Sequence, residues 1–378
     1  MVTRGVTLGD VVGLLHGWYP PATAESWDAV GLVWGDLARP VRKVMFAVDP
    51  VQPVADDAVA WGADLLVVHH PLFLRGVHGF SAETPKGRAL TTLANAGCAL
   101  LTAHTNADVA VDGVSDAMAR ALGLTETRPL VPATAPALDK LTTYVPLDHA
   151  DRLREVLAEA GAGRIGDYDR ASFSTVGEGR FRPLDGANPA IGTVGELEVV
   201  PEIRIEVVLP RSRRSRVVSS LLAAHPYEEP AWDVVALADV PAPTGTGRVG
   251  RIEPVTLAAF AETVASALPA APGVVRVAGD VDAVVETVAL CGGAGDAFLD
   301  DVLRAGADVY VTSDLRHHVA SEFLDRGGRL VDVPHWSAEW TWLPVVAAKL
   351  RAALGDTVET HVNDRVTDPW THAVAWRH

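Results

Sequence analysis

The chain has 378 residues, of which 48% are hydrophobic, and its 32 Lys and Arg against 48 Asp and Glu give a net charge of −16. This length exceeds the usual size of one domain and predicts two or three hydrophobic cores, which excludes a small peptide or a disordered tail. The acidic balance opposes generic binding to a phosphate backbone, so we do not expect a nucleic-acid partner.

Two features bear on the cellular compartment. Cys98 and Cys291 are too few for a disulfide framework or a four-thiolate zinc site, and they indicate a reducing compartment. The N-terminal residues lack the pattern of a secretory signal, and polar residues interrupt the longest uncharged run, 89–107. We therefore expect a cytoplasmic protein without a membrane span.

The first third of the chain alternates strand-like and helix-like segments, which is typical of α/β structure. The predicted strands are 44–48, 64–68 and 98–102, and the predicted helices are 54–61, 85–96 and 114–122. A stretch rich in proline and alanine, 129–138, has neither periodicity nor charge and is interpreted as a linker.

A different order of elements follows this stretch. We predict strands at 141–145, 203–209 and 233–238, helices at 150–160 and 215–224, and a polar, glycine-rich passage that ends near 195. We interpret this as the βαββαβ order of a ferredoxin-like α+β module. A second linker is expected at 240–248.

Beyond the second linker the α/β pattern resumes. The predicted helices are 257–268, 298–305 and 318–326, and the predicted strands are 287–290, 309–312 and 329–333. The fold class is therefore α/β, with one interrupted domain at 1–135 and 242–378 and an inserted ferredoxin-like domain at 136–241. The run 291–295 is interpreted as a tight turn between strand and helix, with a phosphate cradle as the alternative.

Three segments place histidines or carboxylates at the end of an apolar strand, where open α/β sheets usually carry their sites. They contain His69 with His70, His104 with Asp108, and His335 with Glu339. A separation of four residues lets a helical or tightly turned segment aim both groups at one point. Because adjacent strand residues face opposite sides, His69 and His70 are expected to serve two neighbouring ions; the alternative is one buried and one exposed histidine.

Four imidazoles and two carboxylates suit zinc, iron, manganese, cobalt or nickel. Six ligands exceed what one catalytic zinc takes from protein, so this set predicts two divalent ions per subunit. Such a pair would supply a metal-bound hydroxide for hydrolysis of a small anionic substrate.

Five motifs in order, at 27–32, 69–72, 104–108, 312–318 and 335–339, resemble the NIF-three family. Its members are dinuclear metal centre hexameric proteins, often named GTP cyclohydrolase I type 2 homologues. The segment 224–233 looks like the signature of the longer bacterial members. Four positions depart from the usual family pattern: Ala29, Ser313, Pro334 and Trp336.

The resemblance implies a homohexamer and a metal-dependent hydrolase, of cyclohydrolase or phosphoesterase type, that acts on a nucleotide or other phosphorylated small molecule. The implied metal ligands are His69, His70, His104, Asp108, His335 and Glu339. The alternative is a non-catalytic, metal-binding hexameric assembly whose insert senses a signal or binds a partner.

Four further residues are candidates for contacting and orienting the metal-ligating imidazoles: Asp28, Asp314, His317 and His318. The alternatives are a turn cap for Asp28 and solvated helix caps for the other three. No catalytic residue is assigned. The segment from His225 to Glu229 is interpreted either as a second ligand site or as the residues that shape a turn.

Overall fold

The computed structural model describes residues 5–135 and 137–374. The chain divides into two compact units, an outer unit formed by the residues up to Ala133 and from Pro243 onward, and an inserted unit, Thr134–Ala242. The architecture is a mixed α/β fold with several sheets, as expected. No helix among the described residues combines the length and the apolar character needed to cross a membrane.

The first sheet of the outer unit has five strands in the order β1-β4-β3-β2-β15. They are β1 Gly31–Trp34, β2 Lys43–Ala47, β3 Leu65–Val68, β4 Ala99–Thr102 and β15 Glu359–Val362. The three central strands are parallel, whereas β1 is antiparallel to β4. All four residues of β3 are buried, because helices cover both faces of the sheet.

The helices on this sheet are α1 Leu8–Trp18, α2 Gln52–Trp61, α3 Pro85–Ala96 and α12 Trp342–Leu354. Alternate residues of β2 supply the two cores. Val44 and Phe46 pack with α1 and α12, whereas Met45 and Ala47 pack with α2 and α3. The continuous apolar run of β2 is therefore explained by burial on both faces.

The second sheet of the outer unit has six strands in the order β11-β14-β13-β12-β10-β5. They are β5 Thr125–Thr134, β10 Pro241–Thr256, β11 Arg276–Ala278, β12 Val284–Ala294, β13 Val309–Ser313 and β14 Leu330–Asp332. Strands β12, β13 and β14 are parallel. Helices α5 Val114–Ala121 and α8 Leu257–Ala267 pack on one face, and α9 Leu299–Ala305 and α10 His317–Asp325 pack on the other.

The inserted unit contains β6 Leu138–Pro146, α6 Ala150–Ala160, β7 Phe173–Phe181, β8 Glu198–Pro210, α7 Arg214–Ala224 and β9 Trp232–Ala236. Its sheet has the order β7-β8-β6-β9, and neighbouring strands are antiparallel. Both helices pack on one face of this sheet, over a core that includes Leu141, Ile205 and Val207.

The two predicted linkers contain the points at which the chain divides into its two units, but they are wrong as irregular segments, because most of each lies in a strand. Residues 129–134 belong to β5, and 241–248 belong to β10. β5 is an edge strand, where Pro129 and Pro132 can be accommodated without a complete ladder of N–H donors. The glycines of the second stretch permit close packing, since a Cβ at Gly245 would lie 2.3 Å from the Val131 carbonyl oxygen.

The interpretation of 291–295 as a strand-to-helix turn is also wrong. Strand β12 continues through this run to Ala294. A Cβ at Gly292 would lie 2.6 Å from the Val114 side chain, so glycine here serves close packing of the strand against α5. In the inserted unit, sequence reasoning missed β7, whose largely exposed residues lack a strong apolar alternation.

Candidate metal centre

The six predicted ligands lie where parallel strands of both sheets in the outer unit end. His69 and His70 directly follow β3, and His104 follows β4 and immediately precedes the short helix α4, Thr105–Val109. His335 begins helix α11, His335–Trp340, soon after β14. The two carboxylates, Asp108 and Glu339, lie one helical turn beyond His104 and His335. Because residues four apart lie on the same side of a helix, each carboxylate is on the same side as the histidine that precedes it.

Glu339 lies at the centre of the cluster. Its Oε1 is 2.8 Å from His335 Nε2 and 3.4 Å from His69 Nε2, and its Oε2 is 3.1 Å from His70 Nε2. The Nε2 atoms of His70 and His335 are 3.3 Å apart. Asp108 Oδ1 approaches His69 Nε2 to 3.7 Å. Ring nitrogens and carboxylate oxygens therefore converge on one small volume.

The first two imidazoles are oriented through their Nδ1 atoms. His69 Nδ1 lies 3.0 Å from the Ala103 carbonyl oxygen, and His70 Nδ1 lies 2.7 Å from Asp49 Oδ1. Both acceptors are consistent with a proton on Nδ1, which leaves Nε2 with its lone pair towards the cluster.

The other two imidazoles follow the same rule. His104 Nδ1 lies 2.8 Å from Asp28 Oδ1, and His335 Nδ1 lies 2.6 Å from Asp314 Oδ2. Asp28 also accepts hydrogen bonds from the backbone N–H and the hydroxyl of Thr105, so it both caps α4 and orients the His104 imidazole.

Three buried atoms at the centre have no hydrogen-bond partner among the described residues. They are His69 Nε2, Asp108 Oδ1 and Glu339 Oε2. Buried polar atoms are rarely left unpaired, because each one pays a desolvation cost without a compensating bond. A cation between an imidazole lone pair and two carboxylates would satisfy all three, so this donor set fits divalent metal ions.

The donors form two overlapping groups whose ligand atoms lie within 4.8 Å of one another: His69, His70 and His104, and His70, His335 and Glu339. A glycine makes room beside the second group. A Cβ on Gly293, which has a φ of +74°, would lie 2.6 Å from Glu339 Oε1. The run 291–295 therefore contributes space at the cluster.

Without a metal ion, charges within the cluster determine the protonation of its members. Burial would raise the pKa of Glu339, but the imidazoles of His70 and His335 hold this pKa well below its usual value. Burial would lower the pKa of His70, but Glu339 and Asp49 raise it to about 11. For His335, Glu339 and Asp314 likewise overcome burial and raise the pKa to about 10. Protons on these imidazoles thus occupy positions that a cation can take.

The pKa values of the other carboxylate, Asp108, and of another imidazole, His104, shift in the directions opposite to those of Glu339 and of His70 and His335. Burial raises the pKa of Asp108 to about 7, although His69 opposes the shift. Burial and the neighbouring His69 lower the pKa of His104 to about 4, against the effect of Asp28. His104 is therefore a neutral imidazole near pH 7, the form that ligates metal ions.

A cavity of about 660 Å³ opens beside the cluster. It is lined by His70 and His335 and also by Arg276, Trp336 and Trp370. Its size lies within the range of pockets for small molecules. The centre is therefore accessible from a pocket that contains a cation and flat aromatic surfaces.

The structure separates the four residues predicted to orient the ligands. Asp28 and Asp314 contact imidazoles of the cluster, whereas His317 and His318 lie on the exposed first turn of α10 with ring centroids 5.1 Å apart. Within the described residues, neither of these histidines reaches the cluster. Sequence reasoning missed Asp49, although its position just after the buried strand β2 was a usable signal.

Fold and site define a mixed α/β protein with a candidate metal centre where parallel strands of two sheets end. The model of the Duf34/NIF3 (NGG1p interacting factor 3) family matches residues 6–369. The chain belongs to the DUF34/NIF3 family, which confirms the prediction from the motifs.

The relatives carry a common name. The chain is 47% identical over 368 residues to a "GTP cyclohydrolase 1 type 2 homolog" of Mycobacterium tuberculosis, covering 97% of both chains. It is 39% identical over 374 residues to the protein of the same name from Bacillus subtilis, covering 98% of this chain and all of the relative.

Solved structures agree over nearly the full length. A Bacillus cereus protein related to NIF3 is 35% identical with a TM-score of 0.76, covering 98% of this chain and 100% of that chain. A Staphylococcus aureus protein is 26% identical with a TM-score of 0.82, covering 98% of this chain and 99% of the other.

Proposed function

We propose that this protein is a metal-dependent hydrolase that holds two divalent ions and acts on a nucleotide or other phosphorylated small molecule. The observation that carries the proposal is the convergence of four imidazoles and two carboxylates around buried atoms that lack partners. The proposed ligands are His69, His70, His104, Asp108, His335 and Glu339. Zinc, iron, manganese, cobalt and nickel all suit this donor set.

Divalent ions in this position would supply Lewis acidity and a water nucleophile at neutral pH. The chain's own residues would do the rest. Asp49, Asp28 and Asp314 would keep a proton on Nδ1 of His70, His104 and His335, so that the other nitrogen of each ring stays available for a cation.

The adjoining cavity supports a substrate with an anionic group and a flat ring. The guanidinium of Arg276 pairs with Asp332, at 2.9 Å from Nε to Oδ2, yet the Arg276 side chain is 60% exposed. It can therefore also bind an anionic group that enters the cavity. Trp370 is 72% exposed and offers its ring for stacking. The name shared by the relatives makes GTP the first substrate to test.

The decisive experiment measures metal content and turnover on the same protein. We expect purified protein to contain divalent metal and, when loaded with zinc, manganese or iron, to turn over GTP or a simple phosphodiester. His104→Ala should lower both metal content and rate. His318→Ala, at an exposed histidine outside the cluster, is the matched control and should change neither.

Each failure has a distinct meaning. Bound metal without turnover of either substrate would contradict the hydrolase proposal and favour a non-catalytic metal-binding assembly. Protein without metal after loading would contradict the metal centre itself.

We further propose a homohexamer built from a discontinuous α/β domain with a ferredoxin-like insert. The hexamer is what the resemblance of the five motifs implies, and the strand order β7-β8-β6-β9 with two helices on one face supports the insert's fold. Light scattering on the purified full chain should give six chain masses; a monomer would contradict the assembly.

A further inference from the structure

A second cavity lies entirely within the inserted unit, on the face of its sheet that carries no helix. Side chains alternate between the two faces of a strand, so Tyr144 and Glu202 point away from the helices that cover Val145 and Ile203. The cavity has a volume of about 730 Å³, within the range of small-molecule pockets. Its walls come from the segment 178–191 and from residues 227–231.

The carboxylate of Glu202 lines this cavity. Glu202 is only 8% exposed, and its Oε1 accepts a hydrogen bond of 2.8 Å from the Tyr227 hydroxyl. Oε2 has no hydrogen-bond or ion-pair partner among the described residues, yet it is not one of the fully buried atoms that lack a partner, so it is accessible from the cavity. A Cβ on Gly179 would lie 2.3 Å from this atom, so the glycine allows the carboxylate to pack closely against β7. A buried carboxylate with one unengaged oxygen is a place where a cationic group gains a strong hydrogen bond.

The His225 motif builds one wall of the cavity. His225 Nε2 donates to the Tyr144 carbonyl oxygen at 2.9 Å, while Nδ1 accepts from the Tyr227 N–H at 3.1 Å. This arrangement requires one neutral tautomer, and burial lowers the pKa of His225. The turn is thereby held so that Tyr227 and Glu228 face the cavity. Glu228 also accepts a hydrogen bond from the N–H of Asn188, which lies between the lining residues Ala187 and Pro189.

The charged residues that line the cavity indicate whether it favours a cationic or an anionic ligand. Two arginines, Arg180 and Arg182, face five carboxylates, and Arg180 is already paired with Glu178 at 2.7 Å. The five are Glu178, Asp185, Glu202, Glu228 and Glu229. This excess of negative charge favours a cation and opposes a phosphorylated ligand.

The rest of the lining indicates what kind of cation fits. Phe181 and Tyr227 pack edge to face with ring centroids 5.6 Å apart, and aromatic rings attract organic cations. Pro183 and Ile191 add apolar surface. Among the described residues, no group of three closely spaced metal-ligand atoms occurs in the inserted unit, which argues against a metal ion.

We infer that the inserted unit binds a small organic cation, an ammonium or guanidinium compound with an apolar or aromatic part, whose charged group contacts Glu202. This inference concerns the inserted unit alone and does not depend on the metal centre. It gives the motif from His225 to Glu229 a role as the wall of a binding site.

The test uses the full chain and three probes that share an indole ring: tryptamine as the cation, tryptophol as the neutral form and indole-3-acetate as the anion. Ligand-observed NMR titration reports their affinities. We expect tryptamine to bind at least about tenfold more tightly than tryptophol, the factor that one favourable charge contact of moderate strength provides. Indole-3-acetate should bind more weakly than either.

Two variants locate the site. Glu202→Gln keeps the shape of the side chain and should weaken tryptamine binding about tenfold. Glu206→Gln changes a carboxylate on the same strand and face, outside the cavity, and should stay within about twofold of the parent chain. Unfolding by heat checks that both variants fold.

The charge series on the unaltered chain keeps the proposal falsifiable even where a variant fails to fold. Equal or tighter binding of indole-3-acetate would overturn it and point to the arginines. An unchanged affinity in a folded Glu202→Gln protein would also overturn it, as would the absence of binding by tryptamine, agmatine and spermidine at millimolar concentration.

Discussion

Asp314 Oδ2 lies 2.6 Å from His335 Nδ1, although the two residues are 21 positions apart in the chain. Asp314 follows β13 with a left-handed φ of +60°, a conformation that Asp and Asn tolerate better than most residues. The hydrogen bond between them orients the imidazole whose other nitrogen faces Glu339.

Replacing Asp314 by Asn should therefore weaken the metal centre without disturbing the backbone. Asn tolerates the same φ but cannot accept as strongly from Nδ1–H, and loss of such a partner typically costs about 10- to 100-fold in metal affinity. Metal titration with a competing chelator measures the effect. The exposed Glu322→Gln serves as the control on α10, and an unchanged affinity in Asp314→Asn would contradict the orienting role.

Gly293→Ala should displace Glu339 and lower metal content. The added Cβ would lie 2.6 Å from Glu339 Oε1 on a residue with a φ of +74°. Gly306→Ala is a matched control, because Gly306 has a φ of +68° but open space around its missing side chain. Both substitutions should cost about 1–2 kcal/mol in backbone strain, whereas only the first should reduce bound metal in elemental analysis. Equal metal content in the two proteins would refute the steric argument.

Arg248 should be essential for the stability of the outer unit. It is 2% exposed, pairs with Asp116, and donates to the carbonyl oxygens of Gly245, Gly247 and Ala110 at 2.7–3.0 Å. Removing one partner of a buried pair leaves an uncompensated charge, so Arg248→Met should lower the free energy of unfolding by about 3–5 kcal/mol.

The control for Arg248 lies three residues further along β10. Arg251 pairs with Glu286, but their side chains are 49% and 41% exposed. Arg251→Met should therefore cost less than about 1 kcal/mol. Urea denaturation of both variants measures the free energy of unfolding. Similar losses in the two variants would show that burial does not determine how much an ion pair contributes to stability.

Asp139 should make the inserted unit sensitive to acid. Its side chain is fully buried, and hydrogen bonds from Arg214 and Arg211 hold its pKa below the usual value. A lowered pKa in the folded state means that the pair stabilises the unit above the unfolded pKa of about 3.9 and that this contribution disappears as the pH falls through the folded value.

Asp139→Asn should accordingly cost about 2 kcal/mol near neutral pH, in line with hydrogen bonds to charged groups. The difference from the parent chain should shrink as the pH falls below about 4. Hydrogen exchange at the backbone amides of the inserted unit, followed in urea on the full chain, measures it, because nine of the ten tryptophans lie outside this unit and would mask Trp232. A difference that stays constant down to the lowest pH would show that charge does not contribute.

Much of the centre could be predicted from the sequence because its residues follow local signals. His69, His104 and His335 come just after short apolar strands, and each carboxylate lies four residues beyond a histidine. Strand ends and helical spacing depend on neighbouring residues, so they are visible without knowing which strands pair. The same local patterns carry the resemblance to the family, and the comparisons confirm that the chain belongs to it.

Only the tertiary structure shows the features that depend on contacts between residues far apart in the sequence. Asp49 joins His70 across 21 residues, and the Nε2 atoms of His70 and His335 meet across 265 residues. The proline-rich stretch at 129–134 becomes a strand because β10 lies beside it, not because of its own propensity. Burial and hydrogen bonding from elements far apart in sequence override local composition, and a linear pattern cannot show which partners will supply them.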